Sequence, residues 1–300
     1  MGQTLWTRKE GLIGAFLLAV NAYHVWFSQV ARYYALMVFL ALLSLLFLVK
    51  ALQKGRMGLW VAFVLCTVFS LYNHYFAFLL LPAEIIFAAC VIYENWWSSR
   101  RETGHHMARH RPGNLPPTIR QGLILLVSLA LVAVLYLPWV STLQAQFPKQ
   151  LQSGSLVPST PSVQQALSFL REAIVTYTGA RGALLVSWMA LGLLGLASFG
   201  SRRILLVLLS IGMPFAFLSF VESQHALRPK YVLFTLPVYL LVVAMGITSV
   251  TRLLGRYLPS RRSPLRFLLI LAPSLALLLL CAYSAVPLAA HYDRREPDWR

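Results

Sequence analysis

Apolar residues fall along the chain in long unbroken runs separated by short polar stretches. Neither the alternation of a half-buried strand nor the single stripe of a soluble amphipathic helix dominates. Nine runs approach the roughly 20 residues needed to cross a bilayer as a helix: about 11–27, 33–49, 57–73, 76–93, 119–139, 182–200, 204–221, 231–250 and 266–287. The pattern predicts an all-α fold, a single polytopic transmembrane helix bundle over residues 1–300 with about nine spans. Gly11–Phe27 reads as a span, since no small-residue cleavage site follows it.

Two longer intervals break the rhythm. Residues 141–181 form the longest external loop, which begins with Gln, Pro, Ser and Gly and then turns periodic. Val163, Leu167, Leu170, Ile174 and Tyr177 fall on one helical face, with Ser162 as N-cap, Gln165 three residues on and Pro161 just before. This predicts a short amphipathic helix on the outer leaflet, either roofing a substrate cavity or simply covering the bundle. The second interval, Glu94–Arg120, contains five arginines, three histidines (His105, His106, His110) and three prolines. The histidines lack metal-ligand spacing, and the interval reads as a flexible basic loop touching anionic lipid.

Composition agrees with the pattern. Hydrophobic residues make up 58% of the chain and charged ones 12%, against about 25% charge in soluble domains. The net charge of +17 does not imply nucleic acid, because the charges sit in loops between apolar runs. Alternating span direction divides those loops into two sets. Seventeen of the 26 basic residues fall in one set, among them Arg8, Lys9, Lys50, Lys54, Arg56, Arg100, Arg101, Arg120, Arg202, Arg203 and Arg252. The positive-inside rule then predicts a multi-pass protein of the cell inner (plasma) membrane, amino terminus cytoplasmic and carboxyl terminus external. Trp60, Trp96 and Trp97 are expected at the inner boundary and Trp26 and Trp139 at the outer one, as an aromatic belt. Cys66, Cys90 and Cys281 lie inside apolar runs and read as small core residues.

Polar groups in hydrocarbon are costly, so those that persist need a reason. Here they gather at outer turns. Asn21 and His24 lie near the end of the first span, and Gln29, Arg32 and Tyr33 follow. Tyr72-Asn73-His74-Tyr75-Phe76 forms the next outer turn. Glu222, Gln224, His225, Arg228, Lys230 and Tyr231 form a later one. Convergence of these turns would make a pocket suited to a phosphate, with bidentate hydrogen bonds from Arg32 and a point charge from Lys230. Each cation taken alone reads equally as one snorkelling to the headgroups, and His74 as bonding a backbone carbonyl. Glu84 follows Pro82 and lies about 15 Å deeper than His74 along a helix. It either satisfies backbone groups freed by the proline or faces the cavity, and the structural role is favoured.

Three of these stretches, Ser28–Leu36, Tyr72–Phe76 and Arg228–Pro237, resemble in order and spacing the motifs of GT-C fold membrane glycosyltransferases. The similarity is to the bacterial branch related to protein O-mannosyltransferases and lipid A aminoarabinose transferases. That branch often shows Ser-Gln-Glu-Ala-Arg-x-Tyr-Ala-Leu, Tyr-x-His-Tyr-Phe and Arg-Tyr-Leu-Leu-Phe-x-Leu-Pro runs. Pro297–Arg300 resembles the entry to such proteins' external soluble domain. The chain departs from the pattern at Val30, in place of the usual glutamate, and at Lys230, in place of the usual arginine.

The resemblance implies a transferase that takes a sugar from a polyprenyl-phosphate donor and passes it to a lipid, glycan or protein on the outer face. It implies substrate or phosphate contacts from Gln29, Arg32, Tyr33, His74, Tyr75, Arg228, Lys230 and Tyr231, with Glu84 and Glu222 as candidate cavity carboxylates. The family's catalytic carboxylate lies upstream of the first motif, where this sequence has only Met1–Glu10. The expectation is therefore a fragment that does not turn over alone, or a degenerate relative that binds lipid without catalysis. No cofactor is firmly implied, and a divalent metal is left open. The competing readings are a lipid-linked sugar transporter or flippase, and a non-catalytic membrane scaffold subunit. The sugar and acceptor stay unidentified, and the expected partners are membrane lipid and the polyprenyl-phosphate donor, not nucleic acid.

Overall fold

A computed structural model describes residues 7–30, 32–103, 116–152, 157–158, 163–180, 182–198, 200–219, 221–222 and 228–257. The expected span at 266–287, the Ser162 cap, the histidine-bearing part of the basic loop, and Gln224 and His225 lie outside the described residues.

The first apolar run is not one helix. It forms α1 (Arg8–Val20) and α2 (Ala22–Gln29), bent by 60° at Asn21. Thr7 and Glu10 make a reciprocal capping box at the start of α1. Asn21 ends α1 and caps α2, its Oδ1 accepting from the His24 N–H at 2.9 Å. α3 (Tyr34–Lys54) follows, about 30 Å long at helical rise. It stops at Gly55, whose φ of +62° is open to a residue without Cβ. α4 (Met57–Asn73) matches its predicted run. A 3-10 turn, Tyr75–Leu79, leads into α5 (Leu81–Thr103), with Pro82 in the first turn, where its missing N–H costs nothing.

α6 (Pro117–Gln152) is much longer than expected. It runs through Pro138 and Pro148 and takes in residues 141–152, which the sequence reading assigned to the external loop. α7 (Val163–Thr178) is the amphipathic helix. α8 (Ala183–Ala197) and α9 (Ser201–Ser219) follow, α9 passing through Pro214 unbroken. A second 3-10 segment, Pro229–Thr235, leads into α10 (Leu236–Tyr257). Besides helices, the described residues contain one antiparallel pairing of two residues each, Val157–Pro158 with Val221–Glu222.

Five of these helices are long and apolar enough to cross a membrane, or seven if each bent pair is one span. α4, at 17 residues, is a shorter apolar helix. α10 is the most enclosed and forms the centre of the bundle, packing against α1 and α8. Small residues allow those contacts. A Cβ on Gly195 would strike the Val242 carbonyl of α10, and one on Gly246 would strike the Leu191 carbonyl of α8. A Cβ on Gly14 of α1 would lie 2.7 Å from Leu241 Cδ2. This close backbone approach is the usual basis of helix association where hydrocarbon replaces water as solvent.

The helix ends sort into two groups. At one end, the α3 end meets the α6 start through Gln121 Nε2 and the Leu52 carbonyl, 3.0 Å apart. The α5 end meets the α9 start through Glu94 and Arg202, and the α1 start meets the α10 end through Glu10 and Arg252. The opposite end carries the turns between α2 and α3, between α4 and α5, and ahead of α10.

The facing of two elements is seen directly. In α7, Phe169, Ala173 and Tyr177 are buried in the bundle, whereas Leu167 is 60% exposed and Leu170 is also exposed. Of the predicted face, Tyr177 is fully buried and Ile174 half-buried. Trp60 is 1% exposed inside the bundle rather than in an interfacial belt.

Candidate functional site

The turn ahead of α3, the turn ahead of α5 and the segment ahead of α10 meet at one end of the bundle. Asn73 Nδ2, at the end of α4, donates to the Tyr33 carbonyl at 3.0 Å and ties the first turn to the second. The His74 ring stacks on Tyr33 at 4.0 Å and on Tyr75 at 4.6 Å between centroids. Tyr231, from the third segment, lies 6.3 Å from His74 and 4.8 Å from Phe76. Lys230 Nζ sits 5.1 Å over the Tyr231 ring. Tyr33 and Tyr34 hydroxyls are 3.2 Å apart.

A local backbone reason places His74 there. It is extended (φ −161°, ψ 130°) between α4 and the 3-10 turn, and its Nδ1 accepts from the Phe76 N–H at 3.1 Å. His74 therefore caps a turn, and this ring nitrogen accepts from an N–H where the alternative reading had the histidine bond a carbonyl. Burial pushes the imidazole down to about 4. At neutral pH the ring is uncharged, and with Nδ1 engaged as acceptor its proton resides on Nε2. His74 can thus donate a hydrogen bond, but it is neither a cation nor a free base. Burial, together with the neighbouring Tyr34, pushes the Tyr33 hydroxyl up, so it too stays neutral.

The third segment is held by a residue from α7. Tyr177 is buried, and its hydroxyl lies 2.8 Å from the Val232 carbonyl and 3.2 Å from both the Pro229 carbonyl and Thr235 Oγ1. Thr235 Oγ1 also donates to the Val232 carbonyl at 2.8 Å. These bonds hold the 3-10 segment where Val232 departs from helical φ/ψ. Asn21 Nδ2 completes the chain, donating to the Tyr177 carbonyl at 2.6 Å. The sequence reading counts Asn21 only as a polar residue near a span end and Tyr177 only as part of an apolar stripe. Their signal is a polar tip on an otherwise apolar element.

The predicted site residues divide accordingly. Tyr33, His74, Tyr75 and Tyr231 are in ring contact, with Lys230 alongside. Arg32 and Arg228 are exposed on the same turns, and Gln29 is exposed at the end of α2. Glu84 is not among them. It is buried between helices, its Oε1 accepting from Ser44 Oγ at 2.6 Å, and Ser44 pairs in turn with Thr67 at 2.9 Å. That arrangement links α3, α4 and α5 in their apolar stretches. The Glu222 backbone forms the short strand pairing, and its side chain lies outside the described residues. Of the other carboxylates with described side chains, Glu10 and Glu94 belong to the opposite end, and Glu172 is exposed on α7. Among the described residues no group of three or more His, Cys, Asp or Glu side chains is placed to hold a metal ion.

Chemically, the cluster offers aromatic faces, neutral donors and nearby cations, which suits an anionic group attached to a ring or a chain. The chain matches no known protein family, no curated protein and no solved structure.

Proposed function

We propose that this chain is a membrane glycosyltransferase, or the membrane core of one, which takes a sugar from a polyprenyl-phosphate donor at the end of the bundle where Tyr33, His74 and Tyr231 meet. That end faces the outside of the cell membrane in this reading, and the acceptor is a lipid, glycan or protein. The observation that carries it is the stacking of His74 on Tyr33, with Tyr231 beside it. Three turns far apart in sequence share one aromatic cluster, and each also carries a cation or a neutral donor.

In the reaction, the bond from the anomeric carbon to the phosphate oxygen breaks and a bond to the acceptor oxygen forms. The phosphate leaves with the electron pair. Arg32 and Lys230 would balance its charge, and the His74 Nε2–H would add a neutral hydrogen bond. The acceptor's proton must pass to a base, and no described side chain in the cluster is suited to that step.

Liposomes containing the chain should bind radiolabelled polyprenyl phosphate. Arg32→Ala should weaken binding by about 10–100-fold, the worth of a hydrogen bond to a charged group. Lys230→Ala should weaken it less, since lysine lacks the planar fork. Absence of binding, or binding indifferent to both substitutions, would refute the reading.

A second reading, a transporter for the same lipid-linked sugar, draws support from the broken spans. The first is bent by 60° at Asn21, and 3-10 segments precede α5 and α10. Movement of labelled donor across the liposome bilayer with no sugar transferred would favour it.

A further inference from the structure

The last three turns of α5 carry Tyr93, Trp96, Trp97, Arg100 and Arg101. Residues three, four and seven apart share a helical face, so these five form two adjoining stripes. The rings contact one another: Tyr93 and Trp97 stack at 6.3 Å, Tyr93 and Trp96 lie 5.9 Å apart, and Trp96 and Trp97 6.3 Å apart. Each arginine sits over an indole, Arg100 at 4.2 Å from the Trp96 centroid and Arg101 at 5.3 Å from that of Trp97. The patch is open to the surroundings. Tyr93 is 59% and Trp97 44% exposed, and both arginines are exposed.

The neighbouring charges leave the patch positive. Glu94, one helical position from Tyr93, is engaged by Arg202 at 2.6 Å, and Arg202 also donates to Asn95 Oδ1 at 2.9 Å. Arg203 follows on α9, half-buried. Glu102 comes next in sequence, and its side chain lies outside the described residues. Counting both carboxylates as charged, four arginines face two acids.

We propose that this aromatic–arginine platform binds the headgroup of an anionic phospholipid. The argument has three parts. Indole and phenol rings favour the headgroup region, where one edge is apolar and the other wet. A guanidinium is positive and planar, its donor geometry matches the oxygens of a phosphodiester, and here each lies over an indole. The patch lies at the end of a helix apolar enough to span, so a lipid whose tails lie along α5 presents its phosphate at this level. Snorkelling alone would require the charges but not the ring contacts. This inference is independent of any chemistry at the opposite end of the bundle.

The test is native mass spectrometry of the full chain, released from a neutral detergent and titrated with phosphatidylglycerol or phosphatidylcholine. Phosphatidylglycerol should be retained more tightly. The double variant Arg100→Gln/Arg101→Gln should weaken the tightest site by about 10–30-fold, given about tenfold or less per basic residue near a lipid surface. Trp96→Leu/Trp97→Leu should weaken it severalfold with every charge retained. Arg171→Gln, at the opposite end, should leave it unchanged, and inorganic phosphate at the lipid's concentration should not displace it. Equal retention of the two lipids would overturn the proposal. So would phosphatidylglycerol binding that survives either double variant, or displacement by inorganic phosphate.

Discussion

The two ends of this bundle carry polar residues in different ways. At the end built on Tyr33, His74 and Tyr231, polar groups turn toward one another. Asn21, Asn73, His74 and Tyr177 each bond backbone from another turn or helix, or cap one, and His74 and Tyr177 are buried. At the end built on Arg100, Arg101 and Arg202, the charges turn outward over indole rings or into an exposed ion pair. The exception is Glu10, buried within its capping box, which accepts from Thr248 Oγ1 at 3.2 Å. The first end has interrupted its helices and must satisfy the freed backbone internally. The second mostly ends regular helices, so its side chains serve the interface with lipid and water. A polar substitution should therefore matter much more at the first end than at the second.

The sharpest way to break that comparison is Tyr177→Phe. The phenyl ring keeps its packing beside Tyr23, while the hydroxyl's partners lose their bond. The Val232 carbonyl retains Thr235, while the Pro229 carbonyl loses its side-chain donor. Losing a buried hydroxyl with three partners should destabilise the chain by about 2–3 kcal/mol, read as a lowered thermal midpoint in detergent. A loss as small as that of a surface substitution would mean that the 3-10 segment holds itself. Asn21→Ala should follow, at about 1–2 kcal/mol, because it removes both the cap on α2 and the bond to the Tyr177 carbonyl. Combining the two variants should give less than the sum of their effects, since both loosen one network.

These two residues also mark what is legible in the sequence. Membrane-length apolar runs are visible as such, and α4 begins and ends where its run does, because hydrocarbon demands length and little else. The bend at Asn21 is not visible. No proline or glycine announces it, and its reason is a partner 156 residues away. In α7 the sequence shows an apolar face but not which part of it the bundle encloses. In water an apolar stripe points inward, but beside a membrane Leu167 and Leu170 can face lipid, so hydrophobicity no longer tells buried from exposed. Trp60 repeats the lesson, being an expected belt residue that is enclosed. At the candidate site, the three polar turns stand out as a group in the sequence. The stacking of His74 on Tyr33, and the backbone bond that makes His74 a donor, are matters of three-dimensional contact.

The buried histidine gives a milder probe of the same end. The imidazole titrates near 6.5 in an unfolded chain and near 4 in the folded one. Between those values only the unfolded chain binds the proton, so acidification favours unfolding. Stability is whole above about pH 6.5 and falls as pH drops toward about 4. The loss should reach about 1 kcal/mol roughly one pH unit below 6.5. His74→Asn keeps an acceptor for the Phe76 N–H, since its Oδ1 is bonded to Cγ as Nδ1 is, but removes the titration. Its thermal midpoint should depend less on pH over this range than that of the unaltered chain. An undiminished slope in the variant would assign the titration to another group.

The smallest effect is expected at the opposite end. Arg202→Ala removes the short bond to Glu94 and the one to Asn95, which on distance alone look stronger than anything around His74. Both side chains of the ion pair are nearly half exposed, however. Exposed pairs gain little, because solvent screens the attraction and two long side chains lose freedom in holding it. The thermal midpoint should fall by less than about 0.5 kcal/mol equivalent, and added salt should shrink even that. Glu94 freed of its partner should also offset more of the charge on Arg100 and Arg101. Retention of phosphatidylglycerol should then drop while stability barely changes. A large loss of stability would mean that the outward-facing end holds the bundle together as much as the inward-facing one, and the contrast between the ends would fail.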